Sequence, residues 1–443
     1  MADRQQAQFL KTWGILVFFY VVSTSFLSLF YFPIVQLKAQ LPELILLGMF
    51  GFLALNFKKI SWQNFRWTKL DYCLLALPII VFFTSFFASD YGSFFEAFGL
   101  TYLFSIYLTI KLLLVNYAEK STLFLFYSFL FLGLLAAVFA LLGMLLYLLE
   151  IPTSLVWIYE HFPYFGHSAR VQGFALRPTM LANILSISML FLASKMWLQG
   201  GQKLSYWIAF LLMLLAAVLT LSKGILLFIV GLLFVLSKTS NLSSFTRRIT
   251  QLGMFLCAFA YLFGTHFLVV DKAHPQLEAI QAASFNVGDP IADTETKLII
   301  PTAYTALKQA SLKMGSQHWL IGIGAGNHNQ YVGQLKQKGD FPNQIPNLDP
   351  HSTYFGGFAE LGILGLLAIL CIVFIVGKSC VQLLKQSPKD YFTIALISCF
   401  LMMGLEAIAT DILNFRHLWV LFAALGFLTY RQGNQSGLPA GMN

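Results

Sequence analysis

PNLDPHSTYFGGFAELGILGLL, residues 346–367, passes from a proline-broken polar segment into one of the most hydrophobic runs of the chain. Asp349, Pro350 and His351 close the polar half, and past Glu360 the second half is uncharged and paced by Gly362 and Gly365. A loop ending in a titratable side chain where an apolar run begins is the pattern of a chain entering a bilayer. There a spanning helix needs about 20 apolar residues, because only a helix satisfies its own backbone away from water.

The same alternation recurs along all 443 residues, which are 58% hydrophobic, 16% aromatic and 11% charged, with a mean hydropathy of +0.73. Soluble domains carry about 25% charged residues. Apolar runs between polar breaks predict helices at 13–32, 41–57, 70–88, 97–117, 122–150, 177–198, 204–221, 224–237, 249–270, 352–377, 390–410 and 414–430. The expected fold class is all-α, a polytopic transmembrane bundle of about twelve helices. The first run, Trp13 to Phe32, is longer than a signal-peptide core, has no small-residue cleavage site, and is expected to remain as the first helix. The chain divides into helices one to nine over 1–270, a loop region over 271–351, and the last three helices with a tail over 352–443. Cys73, Cys257, Cys371, Cys380 and Cys399 show neither pairing nor metal spacing and read as structural thiols.

Lysine and arginine in connecting loops stay on the cytoplasmic side. With the N-terminus inside, fifteen fall in inner segments, whereas the short outer loops hold only Lys38, Arg170, Arg177, Lys223 and Arg416. Both termini are thus expected in the cytoplasm. The net charge of +9 is explained by anionic inner-leaflet lipid without invoking nucleic acid. Three segments break the helical pattern, and this topology puts all three outside. They are an aromatic-rich amphipathic loop at 151–176, the turn TLSKGIL at 220–226, and a long, partly helical segment from Asp271 to His351. Within the last, PIADTETKLIIPTAYTALKQASLKM, 290–314, fits an amphipathic helix.

Candidate chemistry is sought in those segments. His351 fits a general base, since an unperturbed pKa of about 6.5 lets it take a proton at neutral pH; it also fits a cap for the helix it precedes, as do Ser352 and Thr353. Arg170 and Arg177 flank VQGFAL and suit bidentate binding of phosphate or diphosphate, or else snorkelling to headgroups. Lys223, in a tight turn between apolar helices, has the same two readings. Gly322, Gly324 and Gly326 in GIGAG read as a tightly packed loop more readily than as a phosphate cradle, which needs a preceding strand and a following helix. His161, His167, His274, His318 and His328 lack metal-site spacing and read as interfacial or loop residues, and Asp289, Asp293 and Glu295 as a solvated face. Glu406, Asp411, Arg416 and His417 cluster near the ends of the last two helices, where mutual ion pairing is expected.

These residues resemble the O-antigen ligase and polymerase superfamily of bacterial envelope glycosyltransferases. His351, Ser352, Gly362 and Gly365 fit its histidine motif; WLIGIGAGNH at 319–328 is similar to its glycine-rich segment. RVQGFALRPTMLAN at 170–183 resembles its arginine region through Arg170 and Gly173, and LSKG at 221–224 resembles its SRG turn, with Lys223 in place of arginine. Thr179 stands where the family carries asparagine. A further family arginine before the glycine-rich segment has no counterpart; Lys297 and Lys308 are the nearest cations, and Lys297 is the expected ligand.

The resemblance implies a GT-C-like bundle in the bacterial inner membrane that transfers a glycan from undecaprenyl diphosphate to an acceptor hydroxyl at the periplasmic face. His351 would be the base, and Arg170, Lys223, Arg177 and Lys297 would hold the diphosphate, with inversion and with neither metal nor cofactor. Lipid A-core is the foremost acceptor, which makes a ligase. A polymerase extending the glycan and a protein O-oligosaccharyltransferase are the alternatives within the superfamily. A transporter would instead place broken or charged helices at the midplane.

Overall fold

The computed structural model describes residues 2–29, 31–34, 37–88, 92–117, 120–162, 166–200, 203–239, 242–273, 291–343 and 345–435. His274 and Asp289 lie outside the described residues, as do the side chains of Lys38 and His161.

Fourteen α-helices are present among the described residues: α1 (Ala2–Ser23), α2 (Leu41–Leu55), α3 (Lys69–Ser85), α4 (Gly92–Tyr117), α5 (Ser121–Leu148), α6 (Pro178–Leu198), α7 (Leu204–Leu219), α8 (Gly224–Ser237), α9 (Ser244–His266), α10 (Ala303–Gln317), α11 (His328–Gln337), α12 (Thr353–Gln386), α13 (Tyr391–Glu406) and α14 (Arg416–Gln435). Each predicted apolar run is helical. Five helices (α4, α5, α6, α9 and α12) are long and apolar enough to cross a membrane, while α2, α7, α8 and α13 are shorter apolar helices. The first helix stops at Ser23, short of the predicted 32, because the hydroxyls of Ser23, Thr24 and Ser25 bond back to the carbonyls of Tyr20, Val21 and Val22 and close the last turn.

The all-α expectation misses short strands. β1 (Tyr31–Ile34) pairs with β2 (Leu37–Gln40), and β3 (Val156–Phe162) pairs with β4 (Gly166–Val171), both antiparallel. The segment read as an amphipathic loop at 151–176 is therefore built on a hairpin. β5 (Phe267–Asp271), β6 (Ala292–Asp293) and β7 (Lys297–Pro301) form an antiparallel sheet in the order β5-β7-β6. The amphipathic helix expected across 290–314 is split accordingly: β7 takes its first half and α10 its second.

α6 sits at the centre, buried along nearly its whole length by α5, α7, α8 and α13. Two of its buried serines bond to carbonyls, Ser186 to that of Ala182 and Ser188 to those of Ile184 and Phe129. At the opposite end from His351, Lys111 of α4 is fully buried on Asp71 of α3 at 2.5 Å, and Tyr107 donates to the same carboxylate.

The second half of the opening stretch explains its glycines. α12 is broken at Gly362, at φ 64° and ψ −155°, a conformation essentially reserved for glycine. The break frees backbone groups from the helical ladder, and the glycine-rich segment takes them up: Ile323 N donates to Ala359 O at 3.0 Å, Gly324 N to Glu360 O at 2.9 Å, and Ile363 N to Trp319 O at 2.7 Å. A side chain at Gly322 would collide with the Glu360 backbone, and one at Gly362 with that of Leu320. This backbone-to-backbone dock fixes the 303–350 region onto the first three turns of α12.

Candidate functional site

Ser352 is the N-cap of α12, its hydroxyl accepting from Phe355 N at 3.4 Å, and also donates to the Ala407 carbonyl at 3.2 Å. Capping thus falls to Ser352 and leaves the His351 side chain to other work. His351 has φ 46°, a left-handed conformation that costs a side-chain residue energy and persists only where its surroundings enforce it. Its ring lies on that of Tyr304, centroids 5.2 Å apart at 36°. Burial pushes its pKa down to about 4; Asp349 opposes that shift, and the positive charges of Arg177 and Lys308, with His328, add to it. The imidazole is therefore neutral at pH 7 and keeps a lone pair for a proton.

Tyr304 and Lys308 are one turn apart on α10 and present the same face. Lys308 is buried, and burial alone lowers its pKa to about 8. Its ammonium meets His266 Nε2 and lies 5.8 Å from the Phe355 ring. His266 Nδ1 is 2.7 Å from the Leu262 carbonyl, which can only accept. The histidine proton therefore resides on Nδ1, and Nε2 receives the lysine.

Arg170, on β4, donates from Nε to the Thr220 carbonyl at the end of α7, 2.8 Å away. Burial lowers its pKa, while Tyr159 and Tyr304 favour the charged form. Lys223, in the α7–α8 turn, donates to the Gly264 carbonyl on α9, and its pKa is lowered by burial and then by Arg170. Arg177 is exposed at the start of α6, within electrostatic reach of both Tyr304 and His351. The hairpin, the α7–α8 turn, α10 and the start of α12 thus bring Arg170, Arg177, Lys223, Lys308, Tyr304 and His351 together at one end of the bundle.

Lys297 is not among them. It is exposed at the far end of β7, opposite Asp271, about 13 Å of strand away from Pro301, where the chain turns toward α10. The cation brought to His351 from this region is Lys308. A lysine on the stripe of Ala303, Ala306, Leu307 and Ala310, which the fold buries, was the available signal. His328 also departs from its loop reading: it is fully buried, with Nδ1 at 2.9 Å from the Leu348 carbonyl and Nε2 at 2.9 Å from Ser311 Oγ. It ties α10 to the segment that carries His351.

The amides of GIGAG face the protein. Gly322 N donates to His318 O, Ile323 N and Gly324 N to α12, and Gly326 N to the Glu360 carboxylate. These four amides are spent on the protein's own acceptors rather than held open as a phosphate cradle. The expected ion pairing at the end of the chain also takes other partners. Arg416 pairs with Glu43 and bonds Gln40, both at the start of α2, whereas Glu406 and His417 both bond Asn183 of α6. Asp411 accepts from Thr353 Oγ1 at 3.1 Å, bracing the first residue of α12. Among the described residues, no three of the His, Cys, Asp and Glu side chains gather as metal ligands would.

Compared with known families, residues 208–370 match the one described as O-antigen ligase. The match covers Lys223, the glycine-rich segment, His351 and Gly365, and starts after Arg170 and Arg177. No curated protein matches the chain.

Proposed function

We propose that this chain, with its O-antigen ligase domain over 208–370, transfers a glycan from undecaprenyl diphosphate to an acceptor hydroxyl at the periplasmic face of the bacterial inner membrane. Lipid A-core is the foremost acceptor. The observation that carries the reading is a neutral, half-buried His351 resting on the Tyr304 ring, with Arg177 and Lys308 in electrostatic reach of it. His351 takes the proton of the acceptor hydroxyl as its oxygen attacks the anomeric carbon. The bond from that carbon to the diphosphate oxygen breaks, the electron pair leaves with the polyprenyl diphosphate, and the configuration inverts. Arg170, Arg177, Lys223 and Lys308 neutralise the charge that grows on the leaving group, which is where fixed cations lower the barrier. Lys308 takes the place expected of Lys297.

The test is reconstitution in vesicles with a polyprenyl diphosphate-linked glycan and, separately, lipid A-core, a glycan acceptor and a hydroxyl-bearing peptide. Transfer to lipid A-core is the expected product; transfer to glycan or peptide moves the chain to another branch. His351→Ala is expected to abolish transfer without loss of membrane insertion, and a variant with near wild-type turnover removes the general-base assignment.

A further inference from the structure

We propose that Tyr304 has two separable roles: its ring positions the imidazole of His351, and its hydroxyl donates a hydrogen bond to the diphosphate of the donor. The inference rests on the glycan-transfer reading and assigns a residue that the sequence motifs do not contain.

The positioning role follows from geometry. His351 precedes its helix in a left-handed backbone conformation, and Ser352, not His351, makes the capping bonds. The backbone alone leaves the ring free to turn about its side-chain torsions. The Tyr304 ring at 5.2 Å and 36° is a wall against one side of the imidazole, and it stands on α10, which the Gly322–Gly362 dock holds against α12. A base is effective only when its lone pair points at the proton it takes.

The binding role follows from what surrounds the phenol. Arg170 and Arg177 both act on it, Tyr159 of the hairpin lies near it, and Lys308 follows one turn later. Tyr304 thus touches His351 and also sits in the field of both arginines. A diphosphate drawn into that field meets the phenol. Burial raises the Tyr304 pKa, so the group is a neutral donor at physiological pH and adds no repulsion to an anion.

Two substitutions separate the roles. Tyr304→Phe keeps the ring and removes the donor; Tyr304→Leu removes both. With the glycan-linked donor, Tyr304→Phe is expected to raise donor KM by about tenfold while leaving kcat and its pH profile in place. Tyr304→Leu is expected to raise KM equally and to lower kcat as well. A second measurement does not depend on turnover: polyprenyl diphosphate without glycan is titrated onto each variant, and the His351 pKa is followed by NMR of histidine-labelled protein.

The groups facing His351 are Asp349 on its own segment, Arg177 from the start of α6, Lys308 from α10 and His328 from α11, and none is altered. Tyr304→Leu uncovers the ring and should move the His351 pKa up toward the ordinary histidine range, whereas Tyr304→Phe should leave it low. Wild-type affinity of Tyr304→Phe for polyprenyl diphosphate overturns the binding role. An unmoved His351 pKa in Tyr304→Leu, or a kcat loss as large in Tyr304→Phe, overturns the positioning role. A wild-type protein that binds polyprenyl diphosphate but transfers nothing counts against the proposed function and leaves both roles of Tyr304 standing or falling on these titrations.

Discussion

Replacing Lys308 by methionine removes one charge from the site while filling the same buried space with a flexible apolar chain. Lys308 is 6% exposed, its ammonium is held by His266, and its charge acts on His351. If it contacts the diphosphate, what is lost is a hydrogen bond between charged partners in a water-poor site, worth about 1.5–3 kcal/mol. That converts to a fall of roughly 10- to 150-fold in kcat/KM for the donor. Lys297→Met, at the exposed end of β7, removes the same charge from the same segment and should change kcat/KM by less than about twofold, as surface charges generally do. Both variants are reconstituted in vesicles, and initial rates are measured against donor concentration at low and moderate salt. Equal losses in the two variants would refute the placement of Lys308 in the site. A larger loss in Lys297→Met would restore the sequence expectation.

The same groups set the pH response. His351 must be neutral and Lys308 charged, so kcat/KM should be bell-shaped, falling as acid is added through about pH 4 and as base is added through about pH 8; Lys308→Met should lose the basic limb and keep the acidic one. Gly362→Ala forces a side chain into a glycine-only conformation and against the Leu320 backbone. Its cost is expected to be at least ~2 kcal/mol in detergent unfolding, while Gly377→Ala, with open space around it on the same helix, should be neutral or slightly stabilising. Asp71→Ala leaves Lys111 buried without its counter-charge and should cost about 3–5 kcal/mol, most of it recovered when Lys111→Met is added; an undiminished melting temperature in the single variant contradicts the burial of the pair.

The helices were legible in the sequence because lipid imposes one rule on every apolar run, and the twelve predicted runs are all helical. The hairpin at 156–171 was not, since aromatic residues such as Trp157 and Tyr159 suit a membrane interface and a strand equally, and pairing with β4 decides between them. His351 was singled out by where it stands, between a polar loop and an apolar run. Its partners were not, because Tyr304, Lys308 and His328 are ordinary members of amphipathic helices until those helices are docked. Lys297 looked as suitable as Lys308 for the same reason: linear spacing cannot tell a strand's exposed start from a helix's buried face. The end-of-chain cluster misled in another way. Arg416 and Glu406 are close in sequence, yet the helix ends beside them come from α2 and α6, and those supply the partners.

The glycine break gives the opening stretch its physical sense. From the N-cap Ser352 to Gly362 is ten residues, about three turns or 15 Å of helix, before the ladder is interrupted. An unbroken helix would have no free amide or carbonyl at that depth, and the 319–324 segment would have nothing to bond. The break opens a docking edge three turns below the histidine, and the segment seated on it follows directly from α10, which carries Tyr304 and Lys308 to the start of α12. The distance from His351 to Gly362 is therefore the length of the strut between base and dock. Changing it by one residue would turn the docking edge by ~100° relative to His351 and carry the Tyr304 ring of α10 off the imidazole. Inserting one alanine between Ala359 and Glu360 should accordingly abolish transfer even if the helix inserts normally. Inserting one after Gly377, below the dock, should spare the site, and equal damage from both insertions would show that the strut length is not what sets the geometry.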